Sequence, residues 1–356
     1  MTASGRAAMW VLLGPHKGDN NQVLALAEAL GVPFRAIELR YKRFAHLPAV
    51  CRSISISQIE DECRSELAPP WPSLVLGIGQ RSVPVARYIQ RGSGGRAKIV
   101  RLGDPMISHR YFDLVITTTQ YAVRDAENVI RLPLTITDQD KIQPNRLEER
   151  WLESFAHPRR LLVIGGKTSL WRFDPELITD SAGWLTHQAS TNGGSVMAVT
   201  SPRTSPELMR AAKSTLGEKA VVTGPFPRYG ALLHAADEIH VTGDSVSMLS
   251  DAIASAKPVG LIPLQPDGLA KFVEIAGKIR GRPYRMRDLE KFWTDLRTRG
   301  LVGTLQHPIR GTLDISPIDT AVAAVRALTG DVATTPVRVA PSRPVASSPK
   351  PKPVAL

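Results

Sequence analysis

The stretch from Asp237 to Leu264 constrains the fold of this 356-residue chain more than any other. Ile239 to Val241 is a short β-rich run, and Gly243-Asp244-Ser245 is a polar turn with N-cap chemistry. Val246, Leu249, Ile253 and Ala256 then recur at helical spacing, Pro258 closes the helix, and Val259 to Ile262 is a second apolar strand. Strand, helix and strand in that order build a parallel sheet. The unit places backbone N–H groups and the hydroxyls of Ser245 and Ser247 at a helix N-terminus, beside the carboxyl end of a strand. N–H groups and helix dipole both favour an anion there, so the turn suits phosphate. Asp251, about two turns in, is within reach of a ribose hydroxyl. An ordinary βαβ unit with a serine cap and a solvated Asp251 fits the same residues.

The alternation extends along the chain. Trp10 to Leu13, Phe34 to Leu39, Ser73 to Gly77, Ile99 to Leu102, Leu114 to Thr117 and Asn128 to Leu132 read as strands, with helices over Asn20 to Leu30 and Ser82 to Gln90. Residues 41–70 have no clear period; Ile54, Ile56 and Ile59 fit loop anchors or a short element. Pro133 to Pro158 reads as a proline-bearing hinge with a helix over Asn145 to Phe155. A second series follows: strands over Arg160 to Ile164, Ser195 to Thr200 and Ala220 to Val222, helices over Pro175 to Ala189 and Pro206 to Leu216. Later helices are expected over Leu269 to Arg280, Asp288 to Arg299 and Ile318 to Leu328.

Two such series predict an α/β protein with two doubly wound, Rossmann-like domains facing a cleft. The expected division is an N-terminal domain over 1–140, a hinge over 141–158, a second domain over 159–316 and a closing helix over 317–330, packed near the junction. Residues 331–356 are rich in Pro, Ser, Val and Ala, carry basic residues and have no amphipathic pattern, so they read as a disordered tail dispensable for folding.

The net charge is +12 and the pI about 9.9, which favours anionic partners such as nucleoside diphosphates or lipid headgroups. Zinc spacings and RNA-binding aromatic signatures are missing and aromatics are 6%, which argues against specific nucleic-acid binding. No apolar run approaches the roughly 20 residues of a membrane span, and Met9 to Leu13 is too short for a signal-peptide core. Cys51 and Cys63 match no redox or metal motif. A reducing cytoplasm is the expected compartment, with peripheral contact at an anionic inner membrane left open.

Six further loops follow strands, where open α/β sheets bind ligands. Gly14 to Gln22 offers His16, Lys17, Asp19 and Asn21, without the P-loop ending or the dinucleotide glycine fingerprint. Asp19 reads best as the helix cap. Gly77-Ile78-Gly79-Gln80-Arg81-Ser82 offers two glycines, a guanidinium fork at Arg81 and a cap at Ser82. Asp104, before Pro105, reads best as a turn former; the alternatives are a contact for acceptor hydroxyls and a base in place of His16. Gly165-Gly166-Lys167-Thr168-Ser169 supplies a cation and two hydroxyls but lacks Walker spacing. Ser201-Pro202-Arg203 supplies a second cation, with Thr204 and Ser205 as caps of the next helix. Phe226, in Gly224 to Tyr229, is a core residue or a platform for a base.

Taken together, Gly14 to Gln22, Gly77 to Ser82, Val163 to Trp171 and Val241 to Met248 resemble the mitochondrial-fission-factor-like (elongated-mitochondria) family of GT-B-type glycosyltransferases, in its alphaproteobacterial form. The resemblance runs in one register from about Trp10 to Leu328. It implies a GT-B-like fold and places the Gly14 loop at the cleft, with His16 as catalytic base and Asp19 and Asp104 beside it; Lys17, Asn21, Gly79, Arg81 and Ser82 fall on the acceptor side. It implies a nucleotide-sugar site from Gly165, Gly166, Lys167, Thr168, Ser169, Arg203, Phe226, Asp244, Ser245, Ser247 and Asp251. The usual acidic residue of the donor helix is Glu; here it is Asp251, a shorter side chain, and Asp244 is then a helix cap. The implied activity is metal-independent transfer of a sugar from a nucleotide-sugar to an envelope or lipid-linked acceptor, with the nucleotide-sugar as substrate and no cofactor. The alternatives are a nucleotide-sugar epimerase or hydrolase on the same fold, and a non-catalytic adaptor of the fission-factor type.

Overall fold

The structure is a computed structural model that describes residues 8–42, 53–137, 143–166, 168, 171–268 and 287–330. The helix expected over Leu269 to Arg280, the tail from residue 331, Lys167, Ser169 and Cys51 lie outside the described residues.

Short apolar runs between glycine turns become buried parallel strands. In the first sheet these are β1 (Met9–Leu13), β2 (Phe34–Glu38), β3 (Leu74–Ile78), β4 (Lys98–Leu102), β5 (Leu114–Thr118) and β6 (Val129–Leu132), in the order β2-β1-β3-β4-β5-β6. The chain leaves β1 toward one edge and β3 toward the other, so the strand order reverses between them. Helix α1 (Lys17–Leu30) starts three residues earlier than its apolar stripe suggests. The unclear stretch holds a bridge between Tyr41 and Ile59 and one helical turn, α2 (Asp61–Arg64); Ile59 is a buried anchor. Helix α3 (Ser82–Gly92) follows β3.

The second sheet contains β7 (Arg159–Ile164), β9 (Ser195–Thr200), β10 (Val221–Val222), β11 (Glu238–Thr242), β12 (Val259–Ile262) and β14 (Gly303–Thr304). Its order is β10-β9-β7-β11-β12-β14, again parallel, with the reversal between β7 and β11. A short antiparallel pair, β8 (Trp171–Arg172) with β13 (Gln265–Pro266), lies outside it. The helices are α4 (Arg146–Leu152), α5 (Pro175–Asn192), α6 (Pro206–Leu216), α7 (Tyr229–Ala235), α8 (Val246–Ala254), α9 (Leu289–Thr298) and α10 (Pro317–Thr329). Helix α8 stops two residues short of Ala256, which turns left-handed at φ 54°.

The two halves are stitched together. Leu132 and Ile136 pack in the core of the first sheet, while Leu134 between them packs in the core of the second. The last helix, α10, returns to the first half: Ala321, Val322 and Val325 are buried with Val23, Leu26 and Ile116. It packs against α1, β5 and β6. Among the described residues no helix is long and apolar enough to cross a membrane.

Candidate functional site

The strand order decides which loops meet. Strands β9, β7 and β11 are adjacent, so the loops that follow them share one edge of the second sheet. Asp244 binds them together. Its buried carboxylate accepts from Gly166 N–H at 2.8 Å and from the Thr242 hydroxyl at 2.7 Å, and lies 3.9 Å from the Arg203 guanidinium. Burial pushes its pKa up against those stabilising bonds. Asp244 is therefore a loop clamp and not a helix cap: Ser245 caps α8, its Oγ facing Met248 N–H at 3.5 Å. Gly165 and Gly166 are required by close approach. A Cβ on Gly165 would overlap the Asp244 carboxylate, and one on Gly166 the Arg203 backbone. Their N–H groups are committed to Thr242 and Asp244, so they do not offer the phosphate cradle that two glycines suggest. Thr204 also differs from the cap expected of it. Its hydroxyl donates to the Gly165 carbonyl and accepts from Ser201 N–H, while Ser205 caps α6.

Across from this edge stands the carboxyl edge of the first sheet. His16 occupies the N-cap position of α1 without a side-chain cap bond and is exposed toward the cleft. Asp19 is not the cap; it lies in the first turn, facing Gly79. The loop is held instead by Asn20, whose side chain accepts from Gly14 N–H and donates to Gly14 C=O. Lys17 and Asn21 are exposed and do not line the cleft. Arg81 turns away onto the Tyr41 ring at 5.6 Å. Ser82 neither caps nor faces the cleft: it is buried as the first residue of α3, donates to the Ile78 carbonyl and accepts from Arg101. Asp104 forms the expected turn, accepting from Met106 N–H at 2.7 Å, and lines the cleft.

The two edges enclose a cavity of about 440 Å³. The N-termini of α1 and α8 meet at its rim: a Cβ on Gly18 would be in van der Waals contact with Ser247 Oγ at 3.7 Å, and both residues line the cavity. Arg203, Ser245, Val246 and Ser247 line it from the second half; His16, Asp19, Gly79 and Asp104 line it from the first. Phe226 is about half exposed just before α7 and lies outside this cavity, so the core alternative fails and the cavity does not include it as a platform for a base. Asp251 lies on α8 near the partly buried Tyr229, and Thr168 is partly buried; neither lines the cavity. Among the described residues no group of three or more His, Cys, Asp or Glu could hold a metal ion.

Several lining residues are not in the sequence-derived set. Arg101, Thr117 and Thr135 are buried, Tyr121 is partly buried, and Arg287 reaches across from the second half to Gln120 Oε1 at 3.2 Å. The signal for Arg101 was a charged residue inside the apolar run Ile99 to Leu102; Thr117 and Thr135 leave no comparable mark.

Two parallel Rossmann-like sheets facing a common cleft define a GT-B-like α/β protein. The chain belongs to the mitochondrial fission ELM1 family, whose model matches residues 17–310. Among solved structures, a candidate UDP-N-acetylglucosamine 2-epimerase from Listeria monocytogenes is similar at 11% identity and TM-score 0.52, covering 94% of this chain and 100% of its own. UGT89C1 from Arabidopsis thaliana, complexed with UDP, is similar at 11% identity and TM-score 0.47, covering 93% and 96%. A glycosyl transferase family 9 protein from Veillonella parvula is similar at 12% identity and TM-score 0.43, covering 90% and 96%. Likeness at these identities concerns the fold alone. No curated protein matches the sequence.

Proposed function

We propose that the protein is a metal-independent glycosyltransferase that binds a nucleotide-sugar on the second half of the cleft and an acceptor on the first. One observation carries the proposal: two helix N-termini and the Arg203 guanidinium converge on a single cavity between two parallel sheets. A departing nucleoside diphosphate develops negative charge. The α8 N-terminus, the Ser245 and Ser247 hydroxyls and Arg203 are fixed donors aimed at that place, and fixed donors need little reorganisation as charge develops. Arg203 lies 3.9 Å from the buried Asp244 carboxylate, which orients its guanidinium at the cavity wall. On the opposite wall His16 makes no side-chain cap bond and would take the proton from an acceptor hydroxyl as general base. Domain roles follow as part of the same proposal: residues 1–140 serve the acceptor and residues 159–316 the donor.

UDP is the first nucleotide to test, because the Listeria relative is described by a UDP-sugar. Isothermal calorimetry with a panel of nucleoside diphosphates should find one that binds in the micromolar range. Arg203→Ala should weaken it about tenfold or more, the value of a charge-assisted contact of roughly 1.5–3 kcal/mol. Absence of binding by any nucleoside diphosphate, or equal binding by the variant, rejects the donor site.

A further inference from the structure

Two arginines are buried among the described residues, Arg101 and Arg160. Arg160 has a carboxylate partner, Glu238, at 4.0 Å. Arg101 has no carboxylate within ion-pair distance among the described residues. Its Nη1 donates to Gly79 C=O at 3.0 Å and to Ser82 Oγ at 3.1 Å, and its Nη2 to Asp104 C=O at 2.9 Å. These bonds fix the guanidinium plane without neutralising its charge. Nε has no partner among the described residues, and Arg101 lines the cleft. Burial lowers its pKa to about 10, so the group is still a cation at neutral pH. A buried cation without an anion is costly, and buried polar groups normally find partners.

The same cavity contains two further orphans. Thr117 is 2% exposed and Thr135 8% exposed; the hydroxyl of each lacks a partner among the described residues, and both line the cleft. Thr117 is at the carboxyl end of β5, next to the strand that carries Arg101. Thr135 is in the crossing segment, where its N–H is used by Ser250 Oγ and its side chain is not. A guanidinium N–H and two hydroxyls, left unpaired among the described residues and belonging to side chains that line one cavity, are a set of donors without an acceptor.

We propose that this part of the cavity is an anion subsite for the acceptor: it takes a phosphoryl group on the acceptor molecule, held by Arg101 with Thr117 and Thr135 as hydroxyl donors. The inference rests on the glycosyltransferase proposal for its place in the reaction, but the binding itself does not. Phosphate is favoured over a neutral sugar because the one charged member of the set has no carboxylate within ion-pair distance among the described residues and keeps an unpartnered N–H. Two carboxylates, Asp19 and Asp104, also line the cavity; both act on Arg101 through space and favour its charged form, but neither is within ion-pair distance, and Asp104 Oδ1 is occupied by Met106 N–H. The group anchors the acceptor and takes no part in bond breaking.

sn-Glycerol 3-phosphate, glycerol and a short-chain phosphatidate serve as probes in calorimetry, with and without saturating nucleoside diphosphate. Glycerol 3-phosphate should bind at least tenfold more tightly than glycerol, and bound nucleoside diphosphate should not displace it. Equal binding by the phosphatidate indicates a soluble phosphorylated acceptor, and tighter binding a lipid-borne one; both support the subsite. Thr117→Val is the informative variant, because it removes an unpartnered buried hydroxyl at nearly constant volume. Its melting temperature should be unchanged or higher, its nucleoside diphosphate affinity unchanged, and its glycerol 3-phosphate affinity lower by about fivefold or more. Arg101→Met should abolish phosphate binding if it folds; Thr117→Val decides the matter if it does not. The proposal is overturned if glycerol 3-phosphate fails to bind, if it competes with the nucleoside diphosphate, or if Thr117→Val binds it like the parent. Arg203→Ala separates the two ideas: it should weaken the nucleotide and leave glycerol 3-phosphate untouched.

Discussion

Glu148 shows how one residue supports the cleft from a distance. It closes a capping box at the start of α4, where Asn145 accepts from Leu147 and Glu148 N–H and Glu148 reaches back to Asn145 N–H. Its buried carboxylate also takes Arg228 N–H, Nε at 2.8 Å and Nη2 at 2.6 Å, which ties the loop before α7 to the hinge. Arg228 holds the Glu148 carboxyl far below the usual carboxylate range, to about 2. The folded pKa lies below the unfolded value, so this contribution to stability is complete above about pH 4.5 and is lost as pH falls toward 2. Glu148→Gln should be destabilised at neutral pH, and its deficit relative to the parent should shrink as the pH is lowered through that window. Urea unfolding at a series of acidic pH values measures this; a deficit constant with pH would mean that the carboxylate charge is irrelevant. Side-chain roles at this scale were only partly legible. Ser245 announced itself as a cap, and Asp104 as a turn. Asp19 did not read correctly, because the helix starts at Lys17 and the bond-forming residue is Asn20. Asp244 looks like a cap in sequence, but its partner Gly166 lies 78 positions away, and no local pattern encodes such a bond.

Elements were more legible than side chains, because each strand is an apolar run closed by glycine or a polar turn. All six strands of the first sheet and β7, β9, β11 and β12 of the second fall where alternation places them. The two-residue strands β8, β13 and β14 leave too little pattern to detect. Partnership was harder to see than existence. Ile318, Val322, Val325 and Leu328 mark an amphipathic helix, but the stripe does not say which sheet receives it. In the structure α10 covers the first sheet, more than a hundred residues upstream in sequence, and Val325 is fully buried among α1 and sheet residues. Val325→Ala should therefore cost about 2 kcal/mol, from lost apolar burial plus a small cavity. Denaturant unfolding followed by Trp10 or Trp71 fluorescence, both in the first half, should report the loss. If that signal is unchanged while the second half is weakened, α10 belongs to the other core.

The whole molecule is two sheets whose carboxyl edges share a cavity, and the chain must hold those edges at a working distance. Besides the packing of α10, connections among the described residues cross between the halves at three places. Leu134 is buried in the second core between two residues of the first; Arg287 Nε and Nη2 and Asp288 N–H bind Gln120; and Thr135 N–H donates to Ser250 Oγ at 3.1 Å. The general plan was readable from strand alternation, and the loops after β7, β9 and β11 do meet at one edge because parallel strands end on the same side. The content of the shared cavity was not readable: Arg101, Thr117 and Thr135 gain meaning only when distant strands are paired. Ser250 is the connection that a point mutation tests most cleanly. It is buried on α8, the helix whose N-terminus faces the cleft, and its hydroxyl satisfies a buried backbone N–H of the crossing segment. Ser250→Ala leaves that N–H without a partner, at a cost of about 1–3 kcal/mol. Because the lost bond joins the halves rather than supporting either core, calorimetric unfolding should broaden or split as well as shift down. Nucleoside diphosphate binding should weaken little, since Ser250 does not line the cavity. A single transition as sharp as the parent's, with the same midpoint, would show that Leu134 and Gln120 suffice to couple the two sheets.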